Sequence, residues 1–249
     1  MKALVTGASS GIGEEIAKEL GKRGYDIILV ARNEEKLKDV ASKIKTKTRI
    51  ITMDLSNKEN CKKLYEETKN EDIDILINNA GFGVHGKFCD TDLNKEVQMI
   101  ETNITAVHIL MKLYLKDMIK KDRGHILNVA SMAAFGPGPL MISYYASKAY
   151  VLNLTEAIYE ECKDSGIRIS CLCPGPVKTT FQDKAGIKKS ESAKKYLMDA
   201  EEVAKVSYKD FKKGKLIIIP GMKNKLLVIG NKLLPRRISR KIILKTNKK

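Results

Sequence analysis

The chain has 249 residues, 43% of them hydrophobic, enough for one α/β domain with a substantial buried core. Its formal net charge of +16 is strongly basic, yet no uninterrupted apolar run approaches the roughly 18 residues of a spanning helix. Five cysteines, an odd number, argue against a disulfide framework, and three histidines without metal-ligand spacing argue against a metal centre.

In chain order, Lys2 to Thr6 reads as a short buried strand, and it begins so early that no cleaved leader is expected and a cytoplasmic location is. It runs into Thr6-Gly7-Ala8-Ser9-Ser10-Gly11-Ile12-Gly13, after which Glu14 to Lys22 reads as a helix. A strand passing through a glycine turn into a helix N-terminus is a phosphate cradle: small residues let the backbone approach a pyrophosphate, and free helix N–H groups meet its charge. The spacing departs from the G-x-G-x-x-G fingerprint but keeps its mechanics, and a plain strand-to-helix turn is the alternative. Strand-like runs recur at 26–31, 48–53, 73–78, 124–130, 166–173 and 215–219, with helical patterns in most of the gaps. This alternation predicts a doubly wound, Rossmann-type α/β fold with a seven-stranded, mostly parallel sheet and helices on both faces. With no repeat or linker to split the chain, residues 1–221 read as one dinucleotide-binding catalytic domain, and 222–249 as a basic amphipathic extension packed on that domain or on a partner.

The strand at 124–130 ends in Ser131, and Tyr144 and Lys148 follow on a predicted helix. Tyr-x-x-x-Lys alone says little, because Tyr65 with Lys69, Tyr159 with Lys163 and Tyr208 with Lys212 repeat it on what look like solvated helix faces. Context separates Tyr144: it follows a strand whose C-terminal edge in a parallel sheet is where ligands sit. A tyrosine of ordinary pKa about 10 donates a proton readily and becomes a base only with a cation beside it. A lysine at i+4 lies on the same helix face, and a serine hydroxyl opposite them can polarise a carbonyl for hydride attack. Ser131 could equally be a turn cap.

Taken together, these segments resemble a short-chain dehydrogenase/reductase of the compact, single-domain branch over residues 1 to about 221. The likeness rests on TGASSGIG at 6–13, Asp54-Leu55, Asn78-Asn79-Ala80-Gly81, Asn103, Ser131, Tyr144 with Lys148, and Pro174-Gly175-Pro176-Val177-Lys178-Thr179, all in the family's order. The resemblance implies an oxidoreductase that moves a hydride between a nicotinamide cofactor and a carbonyl or secondary alcohol. Tyr144 would be the general acid or base, Lys148 would lower its pKa and hold the nicotinamide ribose, and Ser131 would orient the substrate oxygen. Asn103, in a predicted helix from about 95 to 121, would hold a water linking the lysine to solvent; read alone, it is a helix-interior asparagine. Gly7, Ser9, Ser10, Gly11, Ile12 and Gly13 would cradle the pyrophosphate, and Asp54 and Leu55 would meet the adenine. Asn79, Ala80 and Gly81 would pack beside the adenosine ribose, while Pro174, Gly175, Val177 and Thr179 would bind the carboxamide end. A homodimer or homotetramer through helices 95–121 and 144–163 is implied as well.

Cofactor choice turns on the end of the second strand, where an acidic residue would accept from the adenosine 2′-hydroxyl. Ala31, Arg32 and Asn33 stand there instead, and an arginine fork suits a 2′-phosphate, so NADP is expected over NAD, with NAD still usable. Ser10, a neutral residue, offers no second cation. For the substrate, Met132, Phe135, Pro137, Pro139 and Leu140 would line one wall of a pocket and Phe82, Val84 and His85 another, favouring an apolar carbonyl compound. Phe181 to Asp199, polar and lysine-rich, suits a lid or a plain surface loop.

The last 35 residues, Lys215 to Lys249, hold eleven Lys or Arg and no acid, so most of the net charge is theirs. Leucines and isoleucines alternate with the cations around Pro235, a pattern that packs on the core or a subunit, or docks on an anionic membrane surface. No aromatic residue is present there to stack on bases, so nucleic acid is not an expected partner. Cys171-Leu172-Cys173 alternates along a strand, which is read as keeping the two sulfurs apart. Two readings outside catalysis stay open: a nucleotide-binding sensor and a membrane-associated scaffold.

Overall fold

The computed structural model describes residues 1–186 and 197–248. Seven parallel strands form one sheet in the order β3-β2-β1-β4-β5-β6-β9, with β1 at Lys2–Thr6, β2 at Asp26–Ala31, β3 at Thr48–Thr52, β4 at Ile75–Asn78, β5 at Gly124–Val129, β6 at Ile167–Leu172 and β9 at Ile217–Ile218. A separate two-residue ladder, β7 (Val177–Lys178) with β8 (Met198–Asp199), had no signal in the sequence. Strand order reverses between β1 and β4, and at such a switch point the loops leaving the carboxyl ends open a crevice.

Alternation along the strands sets the two cores. Ala3 and Val5 of β1 face one layer with Ile27, Leu29, Ile75 and Ile77, under α1 (Gly11–Lys22), α2 (Glu34–Ser42) and α8 (Ala200–Lys212). Leu4 faces the other with Ile28, Leu76 and Ile126, under α3 (Lys58–Thr68) and α5 (Ala106–Lys121). The predicted long helix is in fact three pieces: α4 (Leu93–Ile100), a π-helical turn (Glu101–Thr105) and α5. The helix bearing the Tyr-Lys pair, α6, spans Ile142–Cys162, and α7 spans Phe181–Lys184.

Residues beyond β9 form α9 (Met222–Leu233) and α10 (Arg236–Asn247), which fold back on the same chain. Asn231 donates to the Phe135 carbonyl at 2.9 Å, Asn247 donates to the Pro139 carbonyl at 2.9 Å, and Val228 is buried. Among the described residues no helix is long and apolar enough to cross a membrane. The reading of Cys171 and Cys173 requires correction. Residues two apart on a strand share a face, and the two buried sulfurs lie 3.8 Å from each other.

The switch point is fastened by one side chain. Thr6, at the end of β1, donates its hydroxyl to the Ile77 carbonyl at 3.1 Å and accepts from the Asn79 and Ala80 N–H groups at 2.9 and 3.1 Å. The Asn79 carboxamide returns to the Thr6 and Gly7 carbonyls at 3.0 and 3.2 Å. Thr6→Val keeps the shape and strands these buried groups, each at a cost of about 1–3 kcal/mol. A fall in the thermal midpoint of about 5–10 °C is expected by circular dichroism; an unchanged midpoint would show the fastening to be incidental.

Candidate active site

The crevice is a single cavity of about 1200 Å³ that runs from the glycine turn, past the ends of β4 and β5, to the underside of α9 and α10. Every predicted catalytic or cofactor residue lines it except Gly13 and Asn103, which stand behind its wall.

At one end the turn after β1 takes a shape that side chains would forbid. Gly7 and Gly11 hold φ of +65° and +62°, and a Cβ on Gly13 would lie 2.3 Å from the Asn79 nitrogen and 2.5 Å from the Gly7 carbonyl oxygen. Ser10 is the N-cap of α1, but its side chain bonds none of the first-turn N–H groups, which leaves them for an anion in the cavity. Thr179 packs on Gly11, where an added Cβ would come within 2.9 Å of its methyl. This set fits a dinucleotide pyrophosphate: backbone donors, no intruding side chain and a positive helix end.

Farther along the switch point, Arg32 follows β2 and its guanidinium lies 3.8 Å from the Asp54 carboxylate. Asp54 is otherwise turned back on its own loop, accepting from the Ser56 N–H and hydroxyl at 3.0 and 2.9 Å. Lys36, in the first turn of α2, also lines the cavity. Sequence reasoning missed it while looking for a second cation at Ser10; its signal was the Arg32-Asn33-x-x-Lys36 run, in which Asn33 caps α2 by accepting from the Lys36 N–H at 2.9 Å.

At the centre, Ser131, Tyr144 and Lys148 converge. Ser131 is a turn cap, as the sequence allowed: its hydroxyl accepts from the Ala133 N–H at 3.1 Å, capping a 3₁₀ turn at Met132–Phe135, and it faces Tyr144 closely enough to favour the ionised phenol. Lys148 donates to the Val129 carbonyl at 2.9 Å, and its ammonium lies 5.8 Å from the centre of the Tyr144 ring. Burial pushes the Tyr144 phenol up to about 12, against the opposing pull of the Ser131 hydroxyl, and burial pushes the Lys148 ammonium down to about 8. Desolvation dominates the ionisation of both groups, so the phenol is held as a proton donor.

Behind them, Asn103 is fully buried in the π-helical turn. Its carboxamide accepts from the Phe82 N–H at 3.1 Å and donates to the Phe82 carbonyl at 2.9 Å and the Ser147 hydroxyl at 3.1 Å. Gly81 lets this happen, since a Cβ there would sit 2.8 Å from the Asn103 oxygen and 3.4 Å from the Lys148 nitrogen. A π turn widens the helix locally, a common device at functional sites.

The far end is apolar and partly unforeseen. Met132, Phe135, Phe82 and His85 line it as expected; Val84, Pro137, Pro139 and Leu140 do not. Val84 packs below with Met141 and Tyr144, and Leu140 turns its backbone carbonyl to the Gly86 N–H. In their place come Leu226, Leu227 and Val228 of α9, Leu234 just after it, and Ile242 and Ile243 of α10. Nothing local in the sequence marks them, because they reach the cavity through a fold-back of some ninety residues from the 3₁₀ turn. Gly175 permits the close approach of α9: a Cβ there would lie 2.6 Å from the Asn224 nitrogen. Of the expected lid, Phe181 sits with its ring 5.3 Å from that of Tyr144, while residues 187–196 lie outside the described residues.

Residues 1–190 match the family model described as short chain dehydrogenase. The chain is 36% identical over 193 residues to the 3-oxoacyl-[acyl-carrier-protein] reductase of Rickettsia prowazekii, covering 76% of this chain and 78% of that one. A short-chain dehydrogenase from Sphingobium yanoikuyae in complex with NADPH superposes with a TM-score of 0.84 at 27% identity, over 92% of this chain and 91% of that one. The bulky-bulky ketone specific alcohol dehydrogenase from Comamonas testosteroni does so with a TM-score of 0.79 at 27% identity, over 93% and 92%.

The buried ammonium has a measurable cost. With its folded value near 8 and its ordinary value at 10.5, Lys148 is charged in both states below pH 8, and the fold bears the full desolvation penalty there. Between pH 8 and 10.5 the unfolded chain binds more protons than the folded one, so this group's share of stability rises with pH. Lys148→Met is therefore expected to be more stable than the parent by about 1–2 kcal/mol at pH 7, after allowing for the Val129 carbonyl left without its donor. Denaturant unfolding at pH 7 and pH 10 should show that gain shrinking; a destabilised variant at pH 7 contradicts it.

Proposed function

The chain belongs to the short-chain dehydrogenase family and is an oxidoreductase, and from that premise we propose that it is an NADPH-dependent reductase of apolar ketones, aldehydes or acyl-chain carbonyls, running as an alcohol dehydrogenase in reverse. One observation carries the reading: the Ser131, Tyr144 and Lys148 side chains converge in the cavity that the glycine turn opens and the apolar faces of α9 and α10 close.

In this reading the pyrophosphate would rest on the N–H groups of α1, the Lys148 ammonium would hold the nicotinamide ribose, and the Asn79 to Gly81 backbone would border the adenosine ribose. Pro174, Gly175, Val177 and Thr179 border the carboxamide end. Arg32 and Lys36 take the 2′-phosphate, with no carboxylate at the end of β2 to oppose it. Asp54 and Leu55 flank the adenine. The cofactor supplies the hydride. A substrate carbonyl oxygen accepts from the hydroxyls of Ser131 and Tyr144, which favour the charge that grows on that oxygen as its carbon is reduced. Tyr144, held protonated by burial, then gives up its proton, and the nearby Lys148 cation stabilises the resulting phenolate until solvent reprotonates it. Asn103 is a positioning residue here, fixing the Phe82 backbone and the α6 backbone through Ser147.

The apolar far wall supports an apolar substrate. Exposed Leu93, Val97 and Ile100 on α4 and Ile142 and Tyr150 on α6 support a homodimer or homotetramer. The five unpaired cysteines fit a reducing cytoplasm.

Titration calorimetry tests the cofactor. NADPH is expected to bind more tightly than NADH, and Arg32→Ala to weaken NADPH about 10- to 100-fold, roughly 1.4–2.7 kcal/mol, with little effect on NADH. Equal losses for both would refute the 2′-phosphate role. Tyr144→Phe should retain NADPH affinity while carbonyl turnover, followed at the reduced nicotinamide absorbance, falls at least 100-fold; turnover within tenfold of the parent removes the tyrosine from the chemistry.

A further inference from the structure

The two helices that close the cavity have a second face. Leu226 and Leu227 are 62% exposed, Leu233 80% and Ile242 51%, and Ile229 and Ile238 are exposed as well. Leu226, Leu227 and Ile242 also line the cavity. Apolar side chains of the site's wall therefore continue onto the outer surface of α9 and α10.

The segment that forms the two helices carries charge of one sign. Residues 222–249 contain ten Lys or Arg and no Asp or Glu. Arg236 and Arg237 occupy the first turn of α10, where the helix dipole disfavours cations and where the helix itself carries no acidic side chain. Such an arrangement is unfavourable in the isolated fold and is relieved by an external anion. Water-exposed leucines beside uncompensated arginines are the composition of an interfacial helix, whose apolar side enters the acyl boundary while its cations meet lipid phosphates. A second copy of this chain answers the apolar face but not the charge, because it would bring the same cations.

We propose that α9 and α10 dock on an anionic lipid bilayer, and that the cavity opens into the bilayer between Leu226, Leu227 and Ile242, so that the substrate is a carbonyl compound dissolved in the membrane. The docking stands on the geometry and charge of the two helices; only the route of the substrate rests on the reductase reading. Leu233 and Ile238, at the turn between the helices, do not line the cavity and are the points of deepest insertion.

Flotation of the full chain with vesicles tests this. Binding to phosphatidylglycerol/phosphatidylcholine vesicles is expected, with at least tenfold weaker binding to pure phosphatidylcholine and to the mixed vesicles in 1 M salt. Leu233→Glu with Ile238→Glu should weaken binding at least tenfold, and Arg236→Gln with Arg237→Gln and Arg240→Gln should do so without touching an apolar residue. Both variants should keep parental NADPH affinity and parental turnover of a short water-soluble ketone, while kcat/KM for a long-chain ketone embedded in the mixed vesicles falls at least tenfold. Vesicle binding with no turnover of any ketone sinks the reductase reading and leaves the docking standing. Absence of binding to anionic vesicles overturns the docking, as does binding that both variants retain. A sedimentation mass that drops from dimer to monomer in Leu233→Glu with Ile238→Glu, with vesicles ignored, assigns the face to a second copy and overturns it too.

Discussion

Everything at the site hangs on the fastening of β1 to the loop after β4 by the Thr6 hydroxyl. Parallel neighbours at a switch point diverge just where their carboxyl ends leave the sheet, and nothing in the ladder itself holds the two loops in register. Three hydrogen bonds to one side chain, with the Asn79 carboxamide returning two more, set the distance between the glycine turn and the Asn79 to Gly81 backbone. Gly13 then has no room for a side chain, and Gly81 is brought against Asn103 and Lys148. The phosphate end and the proton-donating end are thus two sides of one fastening rather than independent sites.

The second constraint is desolvation. Tyr144 and Lys148 lie on one helix face, as their spacing requires, yet each is buried deeply enough that its own loss of water dominates its ionisation. A phenol pushed up and an ammonium pushed down are both strained toward neutrality. The fold carries that cost at the centre of its cavity while the surrounding strands, packed on both faces, supply the stability to bear it.

How much of this the sequence reveals depends on range. The seven strands were readable because each is a short apolar run bounded by turns, and the βα alternation gives their parallel direction, while their order is seen only in the structure. The residues of the glycine turn, the Asn79 to Gly81 segment and the Tyr-Lys pair were readable because their chemistry is local. Lys36 escaped because its relation to Arg32 depends on where a helix cap falls. The apolar roof escaped because Leu226 or Ile243 gains its meaning only from a fold-back onto Phe135 and Gly136. The cysteine pair was misjudged by counting alternation from one residue instead of two. Asn103 was identified by its place in a series of motifs; its actual setting, a π turn, leaves no mark in an amphipathic pattern that reads as one continuous helix from 95 to 121.

That π turn has a consequence for the chain's arithmetic. Relative to an α-helix it holds one surplus residue, and a residue is worth about 100° of rotation. The face that α4 turns outward, with Leu93, Val97 and Ile100, and the face that α5 turns inward, with Leu110, Met111 and Tyr114, are in phase only because of that surplus. Removing a single residue between Glu101 and Thr105 would let the helix close to ordinary pitch and would swing one half against the other by more than a quarter turn, carrying the Asn103 carboxamide away from Phe82. The insertion behaves as a phase-setting element: a one-letter change in length here alters two distant surfaces at once, while substitutions of like size in the same stretch alter one.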